Sequence, residues 1–371
     1  MTRVVYETMQ STFEQILTRC GFTEDRAAVC AAVFATNSLE GVYSHGVNRF
    51  AHFVQLVQEG YVDPAGTVSL TDAVGALERW DGNSGPGPLN ALAATDRAME
   101  LADQHGMGCV ALANTNHWMR AGYYGWRAAR AGYVLIAWTN TVPLMPAWGA
   151  VDSRLGNNPM VIAVPYAGGA GVQGSAYRSG RAAAPAATSQ TGGGGSNRGD
   201  EAAAIVLDMA MSQFSYGKME THRLRGEPLP LAGGYDSEGA LTNDAAAILE
   251  SGRAAPIGFW KGAGLSLLLD LVASVLSGGR ATHELATQPQ ETNVSQVYLA
   301  FSLQKLSHAS NIGEKVRQII HDYKNSVPAE ESHAVVYPGE RMAQIVRENL
   351  EKGIPVDDSV WARIEALKAS S

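Results

Sequence analysis

The sequence predicts an α/β domain flanked by helical segments, and three observations carry that prediction. From residue 81 onward, strand-length apolar runs alternate with stretches of helical periodicity. The first 60 residues and those beyond 305 are mainly helical in pattern. Hydrophobic residues make up 46% of 371 and charged residues 17%, which supplies a large core and excludes a disordered chain.

Phe13, Ile16, Leu17 and Cys20 recur at helical spacing, and Gly21 ends that helix. Thr23 stands where an N-cap belongs, with Glu24 and Asp25 in the first turn of a second helix. A third helix is expected over 47–59. Asp81-Gly-Asn-Ser-Gly-Pro-Gly-Pro88 reads as a tight loop. A helix over 89–104, a strand over 108–113, a polar loop (Asn114-Thr-Asn-His117), a helix over 119–131 and a strand over 133–138 follow. Strands joined by helices of this length imply parallel pairing. Further strands are expected at 160–165, 204–211 (buried) and 295–303. A buried helix is expected at 265–276, and helices near 311–323, 341–350 and 357–367 close the chain. The division is an N-terminal helical region (1–80) packing with a C-terminal one (305–371), around an α/β domain (81–304).

Twenty-eight Lys and Arg against 36 Asp and Glu give a net charge of −8 without a basic cluster, so no nucleic-acid partner is expected. The apolar run 265–273 contains Ser266 and Asp270 and is too short for a membrane span, which needs ~20 residues. The N-terminus has no apolar signal segment, and the expected location is the cytoplasm. Cys20, Cys30 and Cys109 lack zinc or redox spacing and read as reduced thiols; no metal site is expected.

Residues 166–203 differ from the rest. They hold ten glycines and ten alanines, with no Leu, Ile, Met, Phe or Trp. The expectation is an exposed, disordered insertion. Within it, Gly169-Ala-Gly171-Val-Gln-Gly174 matches G-x-G-x-x-G, but no apolar helical stripe follows and no acidic residue closes a second strand. The dinucleotide fingerprint needs both, so the match is rejected.

Several polar clusters can carry chemistry. His45 and Arg49 are four apart, which on a helix puts them on one face. A histidine supplies a proton near neutral pH and an arginine fork suits a carboxylate, although a capping His and a surface Arg would read the same way. His117 directly follows a strand, where ligands collect in α/β folds. Asp208 sits in an apolar strand and needs partners, from a ribose hydroxyl or from the backbone. Lys261 can meet a phosphate and Trp260 can stack on a ring, while Gly339, Glu340 and Arg341 open a helix.

At these residues the chain resembles the type-2 malate/L-lactate dehydrogenase family, whose fold is not the Rossmann fold. The resemblance rests on Gly41-Val-Tyr-Ser-His-Gly-Val-Asn-Arg-Phe50, Asn116-His-Trp-Met-Arg120, Met145-Pro-Ala-Trp-Gly149, Gly156-Asn-Asn-Pro159, Gly258-Phe-Trp-Lys-Gly262 and Val356-Asp-Asp-Ser-Val-Trp361, in that order, and covers nearly everything outside 166–203. It implies an NAD(P)H-dependent reductase of a small 2-oxo acid. NADH is the expected cofactor with NADPH the alternative, and a homodimer is the expected assembly. Some relatives reduce a cyclic imine of a 2-carboxylate instead; a non-catalytic binding protein is the third reading.

By the same resemblance, His45 matches the proton donor, Arg49 a position near the substrate, and His117 the acid/base of some relatives. Ala204, Ile205, Val206, Leu207, Asp208, Met209 and Ala210, with Trp260, Lys261, Gly339, Glu340 and Arg341, match cofactor-binding stretches. Two departures stand out. The related subgroup has Gly-His-Glu where this chain has Gly339-Glu340-Arg341, and the insertion replaces a short turn before a cofactor-binding strand.

Overall fold

A computed structural model describes residues 1–166, 204–307, 309–330 and 334–369. A short strand β1 (Thr2–Val4) leads into α1 (Tyr6–Arg19), α2 (Glu24–Leu39) and α3 (Val47–Gln58). Their apolar stripes meet in an aromatic core. Phe13 stacks on Phe50 with ring centroids 3.9 Å apart, and Phe34 stands edge-on to both. Thr23 has the extended backbone of an N-cap but makes no side-chain capping bond; Glu24 and Asp25 alone serve the start of α2.

Next come β2 (Ser69–Val74), β3 (Leu77–Asp81), α4 (Gly87–His105), β4 (Met107–Thr115), α5 (Ala121–Arg130) and β5 (Tyr133–Thr139). A hairpin of β6 (Pro143–Pro146) and β7 (Ser153–Gly156) precedes β8 (Met160–Pro165) and β9 (Ala204–Met209). Then follow α6 (Tyr216–Arg225), a small ribbon of β10 (Gly234–Tyr235) and β11 (Leu241–Thr242), α7 (Ala245–Ser251), α8 (Trp260–Ser277), α9 (Thr282–Leu285) and β12 (Val294–Ser302). The chain closes with α10 (Ala309–Lys324), α11 (Met342–Lys352), β13 (Ile354–Val356) and α12 (Asp358–Ala369). β13 pairs antiparallel with β1, and Ile354, Val356 and Ile364 are buried in the N-terminal aromatic core, so the two ends of the chain form one packed unit.

The central sheet has seven strands in the order β2-β3-β4-β12-β5-β8-β9. The expected parallel pairing holds only for β3 and β4; every other pair is antiparallel. The β4–α5–β5 unit does run its two strands in the same direction. The late strand β12 inserts between them and pairs antiparallel with both. Alternation of strand and helix sets strand direction, not adjacency. The sheet also takes in 69–80, which the sequence grouped with the N-terminal helical region.

Two burial expectations are corrected. The strand 204–211 ends at Met209 and is an edge strand with Leu207 and Asp208 exposed. The helix expected to be buried is longer and open on one side. In α8, Gly262, Ala263, Ser266, Leu269 and Ala273 face the sheet, while Leu265, Leu267, Leu268, Leu271 and Val275 are exposed, Val275 at 74%. The helix is apolar all round, yet only one side has a layer of this chain against it. By length and composition α8 is the one described helix able to cross a membrane, and a third of it is buried. The rejected fingerprint at 169–174 and all of the proposed insertion except Tyr166 lie outside the described residues.

Candidate active site

A cavity of about 740 Å³ opens between the α3 entrance, the loop after β4, the segment after β5 and the edge strand β9. His45 is not on α3, as its spacing from Arg49 implied; it ends a single 3₁₀ turn (Tyr43–His45) that Gly46 joins to the helix. Gly46 is required there: a Cβ would fall 2.2 Å from Ser38 Oγ and 2.9 Å from Phe34 O. Asn37 Nδ2 donates to His45 O (3.0 Å) and Val47 N–H donates to Ser38 Oγ (2.8 Å), so the turn is fixed to α2. His45 and Arg49 nonetheless line one cavity, with His52 a turn further along α3.

His117 reaches the same place from β4. Asn116 Nδ2 donates to Ser84 O (2.8 Å) and Gly85 O (3.0 Å), which pins the loop that carries it. Met119 adopts a left-handed backbone (φ 67°) and its N–H donates to His117 Nδ1 at 3.0 Å. That bond makes Nδ1 the acceptor and leaves the hydrogen on Nε2. The imidazoles of His45 and His117 lie 5.7 Å apart and 21° from parallel. Burial, then Arg49, His45 and His52, push the His117 pKa well below the usual histidine range. Burial also lowers that of His45. The carboxylate of Asp208 opposes the shift, and Arg49 and Arg120 add to it.

The two arginines differ in their commitments. Arg120 is saturated: its guanidinium meets Glu40 at the end of α2 and donates from Nε to Asp208 (3.3 Å), with both Arg120 and Glu40 nearly buried. Asp208 also accepts the Gly122 N–H at 2.9 Å. Arg49 is half-buried and makes no hydrogen bond or ion pair with any described residue. Arg49 lines the cavity, and its guanidinium carries five donors.

The remaining sequence candidates divide. Val206, Asp208, Met209, Ala210 and Gly339 line the cavity. Ala204 is buried beside it, Ile205 packs on the opposite side against the Tyr166–Tyr337 pair, and Leu207 faces out. Glu340 is engaged, accepting from Lys324 Nζ (2.5 Å) and the Tyr337 N–H (3.1 Å). Arg341 is the exposed residue before α11. Trp260 and Lys261 lie outside the cavity at the start of α8, with Lys261 Nζ 6.0 Å from the Trp260 ring. Three contributors escaped the sequence reading. His52 was visible as the i+7 partner of His45. Tyr216, at the start of α6, lies in Phe214-Ser-Tyr-Gly217, a further stretch of the family resemblance, and Glu291, before β12, had no signal. Among the described residues no group of three or more metal-ligating side chains occurs.

A mixed, largely antiparallel sheet whose edge strand walls a cavity with three histidines and Arg49 is not a Rossmann architecture. The chain belongs to the malate/L-lactate dehydrogenase family of oxidoreductases, whose model matches residues 4–173 and 195–365. It is 38% identical over 366 residues to a 2,3-diketo-L-gulonate reductase of Klebsiella pneumoniae (strain 342), covering 98% of this chain and 100% of that one. A reductase of the same description from Escherichia coli O6:K15:H31 matches at the same identity and coverage. Among solved structures, malate dehydrogenase from Entamoeba histolytica superposes with a TM-score of 0.85 at 21% identity over 99% of this chain and 97% of that one. The delta1-piperideine-2-carboxylate reductase of Pseudomonas syringae pvar.tomato gives 0.78 at 23%, over 99% and 100%. At these identities the likeness is one of fold.

The family works with a nicotinamide cofactor, and the residues present fit one. Beyond His45 and His117 the lining continues with Val206, Trp126 and Gly339, while Gly217 brings the start of α6 against Ser44. A Cβ at Gly339, whose φ is +89°, would sit 2.9 Å from the Trp126 ring and 3.4 Å from Val206 N. Glycine there lets the turn before α11 pack directly on the Trp126 ring and β9, and the total volume suits a flat ring with a small acid next to it.

Proposed function

We propose that this enzyme reduces the 2-keto group of 2,3-diketo-L-gulonate, giving 3-keto-L-gulonate, with NADH. The unpaired Arg49 beside two stacked histidines is the observation that carries this reading. A fork of donors without a protein partner suits a carboxylate, and a histidine next to it suits the adjacent carbonyl. The full-length relatives at 38% identity supply the substrate.

When bound, the cofactor supplies the hydride. Arg49 grips the substrate carboxylate and presents the 2-keto carbon. His117 stays neutral and offers its Nε2–H to the carbonyl oxygen as a fixed hydrogen bond. His45 carries the proton: Ser44 Oγ lies 2.9 Å from its Nδ1, so the ring is oriented and its proton is replaced from the exposed Ser44 side. A substrate panel scored by oxidation of NADH and of NADPH tests this. The expected result is turnover of 2,3-diketo-L-gulonate with NADH. Preference for a cyclic imine such as piperideine-2-carboxylate would replace it with the imine reading.

We assign a homodimer joined through the apolar face of α8. Leu268→Glu with Val275→Glu should halve the sedimenting mass. Three free cysteines, two of them buried, accord with a reducing compartment, and we place the enzyme in the cytoplasm.

A further inference from the structure

Glu291 is a cavity acid that neither the hydride donor nor the histidine corner uses. It lies in the segment just before β12, and that segment is held on both sides. Ser84 Oγ donates to Asn293 Oδ1 at 2.9 Å, and Ser295 N–H donates to Asn140 Oδ1 at 2.8 Å. One carboxylate oxygen, Oε2, accepts the Val142 N–H at 3.2 Å, its one hydrogen bond among the described residues. Val142 is itself fixed, because the neighbouring Thr141 N–H donates to the fully buried Asn158 at 3.0 Å. The carboxyl group is therefore held in place with most of its acceptor capacity unused. It faces a cavity walled there by Val142 and Leu144.

A half-buried carboxyl with this much spare acceptor capacity favours a donor from whatever fills the cavity. Arg49 lines the same cavity and its charge acts on Glu291. A cationic partner there would be repelled by Arg49. A neutral hydroxyl donates to Glu291 without disturbing the arginine's hold on a carboxylate.

Resting on the reading of Arg49 as the carboxylate clamp, we propose that Glu291 is a specificity residue that accepts a hydrogen bond from a hydroxyl on the substrate chain, so that the site selects hydroxylated 2-oxo acids over unsubstituted ones. An enzyme with an apolar wall there would prefer the unsubstituted chain, since a site built to bond a hydroxyl penalises the analogue lacking it.

The test compares 2,3-diketo-L-gulonate with 2-oxohexanoate in the wild type, Glu291→Leu and the near-isosteric Glu291→Gln. In Glu291→Leu the ratio of kcat/KM for the hydroxylated over the unsubstituted acid should fall at least tenfold, with 2-oxohexanoate unchanged or improved. Glu291→Gln should fall between. An equal loss on both substrates would overturn the proposal, because it would mean that Glu291 acts only by orienting Arg49. No change in the ratio would overturn it as well. Calorimetric dissociation constants for L-gulonate and hexanoate, measured on the same three proteins, separate the two readings. If the wild type reduces neither 2-oxo acid, the functional assignment fails, and a preference for L-gulonate that Glu291→Leu abolishes still supports the role of Glu291. Equal binding of the two acids by the wild type would overturn that role.

Discussion

Replacing Arg49 by glutamine should have two effects of different kind. The first is on affinity. A bidentate arginine–carboxylate pair makes two charge-assisted hydrogen bonds, each contributing roughly 1.5–3 kcal/mol. Arg49 has no partner among the described residues, so nothing on the protein offsets the loss. The expected fall in kcat/KM is on the order of 10² to 10⁴, since about 1.4 kcal/mol is tenfold. Arg49→Lys keeps the charge but not the fork, and should lose roughly one bond's worth, about 10- to 100-fold. The second effect is on pH dependence. Arg49 is one of the charges that lower both His45 and His117, so its removal raises both. With His45 as the proposed proton donor, the rate of ketone reduction should fall as pH rises through its pKa. In Arg49→Gln that falling limb should move to higher pH. The assay is NADH oxidation from pH 5 to 9, with kcat/KM at each point. A loss below tenfold, or a limb that stays in place, would refute the clamp.

Three further outcomes follow from the same geometry. Glu40→Gln removes the nearly buried partner of Arg120 and leaves it only Asp208, at 3.3 Å; stability to urea should drop by about 2–4 kcal/mol. Gly339→Ala forces a left-handed alanine against the Trp126 ring, which costs about 1–2 kcal/mol for the backbone alone, and should raise the NADH dissociation constant read by fluorescence at least fivefold. His117 is held well below its unfolded pKa, so the unfolded chain binds protons near pH 6.5 that the folded chain does not. Its contribution to stability is complete above that pH and is lost as pH falls, so the wild-type Tm should decline from pH 7.5 to 5.5 more steeply than that of His117→Asn.

Much of this was legible in the sequence for identifiable reasons. The helices α1 and α3 carry one-sided apolar stripes, which fix their burial before any tertiary fact is known, whereas α2 is buried all round over 30–35. His45, Arg49 and His117 were legible because each sits where local rules place reactive groups, at a helix entrance or after a strand. What was not legible depends on distant pairing. No local pattern says that β12 inserts between β4 and β5, and that insertion brings the Glu291 segment beside Val142. The α8 helix misled because an apolar surface looks the same whether its cover comes from this chain or from elsewhere. Asp208 was read as accepting either from a ribose hydroxyl or from the backbone; its Oδ2 takes the Gly122 N–H and Arg120 Nε, which is the backbone alternative.

The position of Asp208 gives it an effect opposite in sign to that of Arg49. It is the one charge that raises His45, against burial, Arg49 and Arg120. Asp208→Asn removes that support and frees Arg120 to act on His45 with less compensation, so the pKa of His45 should fall further. The falling limb of ketone reduction should then shift to lower pH, and turnover at pH 7 should drop because less of His45 carries its proton. If Asp208 served the cofactor instead, by accepting from a ribose hydroxyl, the variant would bind NADH more weakly and its limb would stay in place. The two variants thus make a signed pair about one histidine: Arg49→Gln moves the limb up, Asp208→Asn moves it down. A proton donor other than His45 would not respond to both. His117 in particular feels Arg49 and not Asp208, so a limb that follows Arg49 but ignores Asp208 would transfer the proton to His117.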